Sequence, residues 1–507
     1  MVVTTQPTSF IAALYATRRN PHVQFVHSGC FVVAIPCVCA YAGSNKCMVK
    51  IIMIDFDREL IGKCQTNAPR YTSYPTADRF NFDFTRRDLE QQLSIFVSKE
   101  SEPISLYIHI PFCNTLCLFC ACNKIITNDR SQISQYLVYL EKEMELYHQY
   151  IGRKLDVIQL HFGGGSPSWL STDEVDQVMS LVRKYFNLDN AKEIAMEIDP
   201  RHTDASFIAC LNDNGFNRIS IGLQDLDPKV QKAVNRIQPY EQNELVLNSA
   251  RSFGFKSTNV DLIYGLPFQN LEQFSYTVDQ VIKLAPDRIA LFNYAHIPST
   301  FMPQSRIKEE DLPKASEKLD MLQMSVNKLT NSSYVFIGMD HFAHADDDLA
   351  IALKNGTLQR NFQGYSTFAD TNMLSFGVSS IGFIGNTYYQ NVKDTASYYQ
   401  SLDNGQLPIL RGFALDNDDL LRRYIISQIM CQFKLEYLFI EQKFGLNFSE
   451  YFALELEKIC DLEELGLLST SQSGFQISDK GRFLIRNIAV VFDKYYKLQL
   501  NKYSKVI

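Results

Sequence analysis

The sequence predicts an α/β protein: a full or partial (β/α) barrel followed by a small, mainly helical C-terminal domain. Two observations carry this. From Ser105 onward, strand-like and helix-like segments alternate through six or more units; alternation of this kind forces parallel strands joined by right-handed crossovers. After about Asp416 the strand signal fades and helical periodicity takes over.

Ser105–Ile110 (SLYIHI) reads as a short strand and Gln132–Tyr150 as a long amphipathic helix. Asp156–Phe162 (DVIQLHF) is again strand-like and runs straight into Gly163-Gly164-Gly165. A helix follows from Thr172, with Ser171 and Glu174 in capping-box positions. Strands come next at Glu193–Ile198, Arg218–Leu223, Asn259–Tyr264, Arg288–Asn293 and Tyr334–Met339, separated by helices such as Glu241–Phe253 and Glu272–Leu284. Chemistry in a β/α barrel sits at the C-terminal ends of its strands, where Glu197, Gln224, Asp261 and His296 fall. Further on, Leu420–Phe433, Ile440–Phe444 and Phe448–Leu462 read as helices. Leu465–Leu468, Gly474–Ile477 and Lys480–Arg482 resemble the hairpin and last helix of a winged helix, expected to serve packing rather than DNA binding in so acidic a chain.

The chain has 507 residues, enough for two or three domains, and its hydrophobic fraction of 46% with 21% charged residues is that of a soluble globular protein. A net charge of −7 argues against a general nucleic-acid binder. It does not exclude an anionic substrate, because a local arginine cluster overrides the overall sign. The apolar run Phe31–Ala42 is too short for a bilayer that needs roughly 20 residues. It loosely resembles a signal peptide, but the bland reading is preferred: an upstream start codon, with the protein beginning at Met48 or Met53.

Four of the twelve cysteines fall within ten residues, Cys113, Cys117, Cys120 and Cys122, in the pattern PFCxxxCxxCxC. Zinc sites usually come as two separated pairs, and no second pair exists. An iron–sulfur cube can be held by thiolates of one compact loop. Three cysteines in CxxxCxxC bind three irons and leave the fourth open to chelate a ligand. Export would oxidise such a thiol cluster, so a cytoplasmic location is expected. The glycine triplet before Ser166-Pro167 is a weak signal alone, but beside this loop it lets backbone approach a ligand closely.

CxxxCxxC after SLYIHIPF, followed by GGGSP, resembles the radical S-adenosylmethionine superfamily. The motifs RYTSYPT (70–76), CNTLCLFCACNK (113–124), MEIDPR (196–201), GLQD (222–225), VDLIYGLP (260–267), FNYAH (292–296), GMDHFA (338–343) and NFQGYST (361–367) narrow the resemblance to the oxygen-independent coproporphyrinogen III oxidases. It runs from about Asp55 to Ile507, and the first fifty or so residues have no counterpart in the family pattern.

The resemblance implies a radical S-adenosylmethionine partial (β/α) barrel that is monomeric and cytoplasmic. It would convert coproporphyrinogen III to protoporphyrinogen IX with a 4Fe-4S cluster and two molecules of S-adenosylmethionine side by side. An electron donor and acceptor would be partners; nucleic acid and membrane insertion would not. The adenosyl radical would abstract a β-hydrogen from a propionate, and loss of carbon dioxide and one electron would leave a vinyl group, on two of the four propionates. Expected boundaries are an N-terminal extension (1–52) outside the fold, an arm over the active site (53–87), the barrel (88–365) and the C-terminal domain (366–507).

Carried over position by position, Cys113, Cys117 and Cys120 would ligate the cluster. Tyr107, Gly164, Glu197 and Ile381 would contact the first S-adenosylmethionine; Phe119, Gly165, Ser166, Gln224, Arg236, Asp261 and Ala295 would contact the second. Carboxylates can accept from ribose hydroxyls or an ammonium, and Arg236 can clamp a carboxylate in bidentate fashion. Cys122 resembles a fourth cysteine needed for activity in the oxidases; the related haem chaperones, the rival reading, typically carry an aromatic residue there. A radical enzyme acting on another substrate is a second rival. Arg70, Tyr71 and Tyr74 either meet the substrate carboxylates over the barrel mouth or simply form an ordered strap.

Overall fold

The computed structural model describes residues 57–64, 67–98, 102–368 and 370–496. The extension expected at 1–52, with the Phe31–Ala42 run, lies outside the described residues.

Twelve strands run in order across one open sheet, and a thirteenth, the short Phe186–Asn187, pairs off this path. Its centre is β1 (Ile104–Ile110), β2 (Leu155–Gly164), β3 (Glu193–Ile198), β4 (Arg218–Gln224), β5 (Ser257–Tyr264) and β6 (Arg288–Asn293), each pairing in parallel with the next. Helices at Arg130–Ile151, Thr172–Tyr185, Ala205–Asp213, Tyr240–Ser252 and Leu271–Leu284 supply the crossovers. β7 (Tyr334–Gly338) and β8 (His341–His344) form a hairpin that joins β6 antiparallel through β8. The two ends of the sheet do not pair, so the barrel is partial.

The sheet continues past residue 365, where the barrel was expected to end. β9 (Met373–Phe376) pairs in parallel with β1, and β10 (Ile381–Ile384), β11 (Thr387–Asn391) and β12 (Ile409–Ala414) follow as an antiparallel meander. These strands are four to six residues long, the last reached through the helix Thr395–Asp403, so they show too little alternation to stand out in the sequence. The helical part begins at Asn417, close to the change in periodicity. It carries a three-stranded sheet, β13 (Lys434–Glu436), β14 (Leu468–Ser471) and β15 (Gly474–Ile477), followed by the helix Asp479–Phe483, which is the wing-like arrangement expected.

The alternation in β1 positions the site. Leu106, Ile108 and Ile110 join the main core against the helices. Ser105, Tyr107 and His109 take the other face, where Ser105 donates to Gln159 at 3.4 Å and Tyr107 stacks on His161, ring centroids 6.1 Å apart. The N-terminal ends of the strands are closed by ion pairs: Arg218 with Glu193 (2.8 Å) and Asp348, and Arg288 with Asp347 (2.9 Å). That leaves the C-terminal ends open for chemistry. The helix Thr172–Tyr185 carries the predicted capping box, Ser171 with Glu174. No described helix is long and apolar enough to cross a membrane.

Candidate active site

The cysteine loop leaves β1 at Pro111 and is fastened on three sides. Ile125 N–H donates to the Pro111 carbonyl (2.7 Å) and Thr127 N–H to that of Cys113 (2.9 Å), closing its base. Leu118 N–H donates to the Val234 carbonyl at 3.0 Å, and the Asn235 side chain to the Leu116 carbonyl at 2.8 Å. Lys124 bridges the carbonyls of Cys120 (3.0 Å) and Cys122 (3.3 Å). All four thiols are free. A hydrogen bond from Cys122, aided by Lys124, holds Cys120 down to about 6, while burial pushes Cys113 up to about 12. Cys122, the donor, is displaced well upward.

Asp199 and two arginines support Cys117. Asp199 pairs with Arg201 (2.6 Å) and Arg236 (3.2 Å), and each arginine places a nitrogen 3.4 Å from the Cys117 sulfur. Burial would raise the Asp199 carboxyl, but the two guanidiniums outweigh it and hold the group well below the usual carboxylate range. Arg236 also donates to the Gly222 carbonyl at 2.6 Å.

The glycine triplet closes over the loop. Gly165 N–H donates to the Ile110 carbonyl (2.8 Å) and Ser166 N–H to that of Phe112 (2.9 Å). Gly164 takes φ +121°, and a Cβ there would stand 2.7 Å from the His109 ring; at Gly165 one would meet the Pro111 carbonyl oxygen at 2.5 Å. Glycine is therefore required at both. The Gly164 N–H donates to Glu197 at 3.1 Å, and His161 Nε2 lies 3.5 Å from the same carboxylate. The Tyr107 hydroxyl lies 3.1 Å from His109 Nδ1.

On the far side, Gln224 sits at φ +70° with its Oε1 buried and unpartnered. Asp261 accepts from Asn259 at 2.7 Å, and burial pushes its carboxyl up to about 7. Phe119 and Ala295 are joined by a residue that sequence reasoning missed: the buried Gln304 amide donates to both carbonyls, at 3.1 and 3.2 Å. Ile381 packs against the Phe80, Tyr388 and Leu415 group. Asp199 and Arg201 were seen as a motif without a role, because only the fold shows that both meet Cys117. Nothing in the local sequence marks Gln304.

In the arm, Tyr71 donates to Asp493 (3.0 Å) and Tyr74 accepts from the Lys494 N–H (3.2 Å). Both tyrosines belong to the C-terminal core, as an ordered strap would. Arg70 instead pairs with Asp340.

These residues fit an iron–sulfur cluster and a bound adenosyl ligand. No three described His, Cys, Asp or Glu side chains converge on one point as a single ion requires; a cube takes each thiolate at a different corner. The lowered Cys120 thiol favours a thiolate, and the Arg201 and Arg236 N–H groups stand in position to donate to the Cys117 sulfur. The glycines let the backbone pass closely over Glu197, His109 and the cysteine loop, and the unpartnered Gln224 Oε1 lies beside Gly222, whose Cβ would fall 2.8 Å from the Gln224 Nε2.

This fold and thiol loop define the class. The profile of the Radical SAM superfamily matches residues 107–281, and that of the HemN C-terminal domain matches 415–484. The chain is 45% identical over 464 residues to the oxygen-independent coproporphyrinogen III oxidase of Escherichia coli, covering 90% of this chain and all of the relative. It is 46% identical over 460 residues to that of Pseudomonas aeruginosa, covering 90% and 99%. A solved structure described as coproporphyrinogen III oxidase (HemN) from Escherichia coli, a radical SAM enzyme, superposes with a TM-score of 0.83 at 45% identity over 88% of this chain and 100% of that one. The chain belongs to the oxygen-independent coproporphyrinogen III oxidase family.

Proposed function

We propose that this chain is the oxygen-independent coproporphyrinogen III oxidase of haem biosynthesis. It decarboxylates two propionates of coproporphyrinogen III to vinyl groups, giving protoporphyrinogen IX. The observation that carries this is the joining of three thiols, the glycine cradle, Glu197 and the Asp199–Arg236 pair at the C-terminal ends of one partial barrel. Family membership over nine-tenths of the chain supports the same reading and does not favour the haem chaperone.

When bound, the 4Fe-4S cluster and S-adenosylmethionine supply a hydrogen-abstracting 5′-deoxyadenosyl radical. The chain's own residues do the rest. Cys113, Cys117 and Cys120 hold the cluster, with Arg236 and Arg201 placing N–H dipoles on Cys117. Gly164, Glu197, Tyr107 and Ile381 receive one S-adenosylmethionine; Phe119, Gly165, Ser166, Gln224, Arg236, Asp261 and Ala295 receive a second. A carboxylate such as Glu197 orients a bound ligand by accepting from its hydroxyl or ammonium protons. Cys122, accessible beside the cluster loop, is the candidate for proton or hydrogen transfer near the substrate. Each decarboxylation releases carbon dioxide, gives one hydrogen atom to the radical and passes one electron to an acceptor outside the chain; a separate donor reduces the cluster. The protein works as a cytoplasmic monomer.

The test is anaerobic incubation of the reconstituted, reduced protein with S-adenosylmethionine and coproporphyrinogen III. Protoporphyrinogen IX is expected. 5′-Deoxyadenosine without any decarboxylation would keep the class and overturn the substrate.

A further inference from the structure

Motifs that the cluster site leaves without a role converge on one buried polar wall. Arg70 of the arm pairs with Asp340 and lies over the Phe292 ring, 5.9 Å from its centroid. Phe292 meets His341 edge-on at 6.1 Å, and His341 meets Tyr365 edge-on at 5.3 Å. Arg360 lies over Tyr365 at 4.6 Å, across the hairpin of Gln359–Asn361 with Gly364–Ser366. Segments far apart in the chain, RYTSYPT, FNYAH, GMDHFA and NFQGYST, thus form one continuous surface. Arg486 joins it from the C-terminal helix, donating to the Ala68 carbonyl at 2.7 Å.

Three residues of this wall carry buried polar atoms without partners. Arg360 Nε and Nη1, His341 Nδ1 and Gln363 Oε1 are buried with no hydrogen-bond partner. A buried guanidinium without an acceptor is costly, and native proteins rarely keep one unless a ligand completes it. Burial, then Arg486 and Arg360, push the Arg70 guanidinium down to about 9, so the arginines oppose one another's charge. Arg70 keeps 35% of its side-chain surface accessible, and the residue after it, Tyr71, lines the adjoining cavity. Tyr71, Arg360 and Phe362 line a cavity of about 370 Å³ together with Met373, Phe383 and Tyr388. Aromatic walls with arginines at the edge suit a flat or puckered tetrapyrrole bearing carboxylates.

We propose that Arg70 and Arg360 clamp a propionate carboxylate of the tetrapyrrole, with His341 and Gln363 as neutral partners. The assignment rests on the oxidase reading and extends it to how the substrate is held. Two propionates survive the reaction, so a permanent anion clamp can orient the ring without touching the reacting carbon. The planar guanidinium fork matches a carboxylate in bidentate fashion, which an ammonium cannot do.

The test uses the reconstituted holoenzyme under anaerobic conditions. Arg360→Gln is expected to raise the KM for coproporphyrinogen III by at least about tenfold with kcat and iron content nearly unchanged. Arg360→Lys should recover only part of the loss. Coproporphyrin III, which keeps the four carboxylates, should bind the wild type more tightly than its tetramethyl ester does, and Arg360→Gln should lose that preference. Arg70→Gln is the second variant and should behave alike. Wild-type KM values in both Gln variants overturn the clamp. A wild type that forms no protoporphyrinogen overturns the functional reading instead, and the acid-over-ester comparison then still decides the clamp.

Discussion

Arg236 ties Cys117 to the far half of the barrel: one guanidinium nitrogen stands 3.4 Å from the thiol sulfur, and the other donates to the Gly222 carbonyl at 2.6 Å. Asp199 neutralises this arginine and Arg201 together. Cys117, the Gly222 turn and the buried Asp199 carboxylate are therefore tied together through one guanidinium.

Asp199→Asn leaves two largely buried guanidiniums without their counter-charge. The variant should lose about 3 kcal/mol of stability, against little change for Asp204→Asn, where asparagine caps the helix about as well, measured by urea denaturation of the apo-protein. The folded pKa is depressed, so this contribution is present above the unfolded value and lost only as pH falls through the folded one. The difference between wild type and Asp199→Asn should therefore stay flat from about pH 5 to 8. A difference that vanishes near neutral pH would sink the argument.

Gly164→Ala puts a methyl group 2.7 Å from the His109 ring at φ +121°. Relief requires moving either the glycine turn or His109, which lies within hydrogen-bond distance of Tyr107. The expected cost is about 2 kcal/mol or more in 5′-deoxyadenosine formation, roughly thirtyfold, with far-UV circular dichroism preserved. Unimpaired turnover would show that the cradle is looser than this geometry requires.

Glu143 is wholly buried on the helix Arg130–Ile151 and accepts from Gly377 N–H (2.7 Å), Asn391 (2.6 Å) and Tyr398 (2.6 Å). Burial outweighs these donors and pushes its carboxyl up to about 7 from 4.5. A raised folded pKa means that stability is fullest below the unfolded value and falls as pH rises through the folded one. Urea denaturation should show a decline on the order of 3 kcal/mol between about pH 4.5 and 7 from this group. Glu143→Gln should remove that slope whatever constant offset it adds; an unchanged slope would place the titration elsewhere.

The thiols should separate by role. Serine at Cys113, Cys117 or Cys120 is expected to lower bound iron after reconstitution by more than half. Cys122→Ser is expected to retain iron and still cleave S-adenosylmethionine while losing porphyrin product. Iron loss in Cys122→Ser equal to that in Cys113→Ser would make it a ligand.

The parts legible in the sequence were those written locally. The cysteine spacing sits on one loop, and β1 to β6 were visible because each is a long apolar or alternating run beside a helix. Glu197, Gln224 and Asp261 could be placed because strand ends carry the chemistry in such barrels. Gln304, and the meeting of Asp199 and Arg201 with Cys117, were not legible: they are ordinary polar residues whose partners lie far along the chain, and Arg236 was named as a ligand contact without its contact to Cys117. Arg360 is similar, since its neighbours Arg70 and Arg486 come from opposite ends of the described chain. β9 to β12 were missed because each strand is too short to show a period and β9 finds its partner, β1, far along the chain. Ile381 rests on resemblance, since a partly buried aliphatic residue on a short strand carries no chemical signal of its own.

The most direct test of the central claim follows one atom. Coproporphyrinogen III deuterated at the propionate β-carbons, turned over anaerobically with S-adenosylmethionine, should deliver deuterium into 5′-deoxyadenosine, with two 5′-deoxyadenosines per protoporphyrinogen IX. Unlabelled 5′-deoxyadenosine, or product formed without it, would contradict radical abstraction at this site.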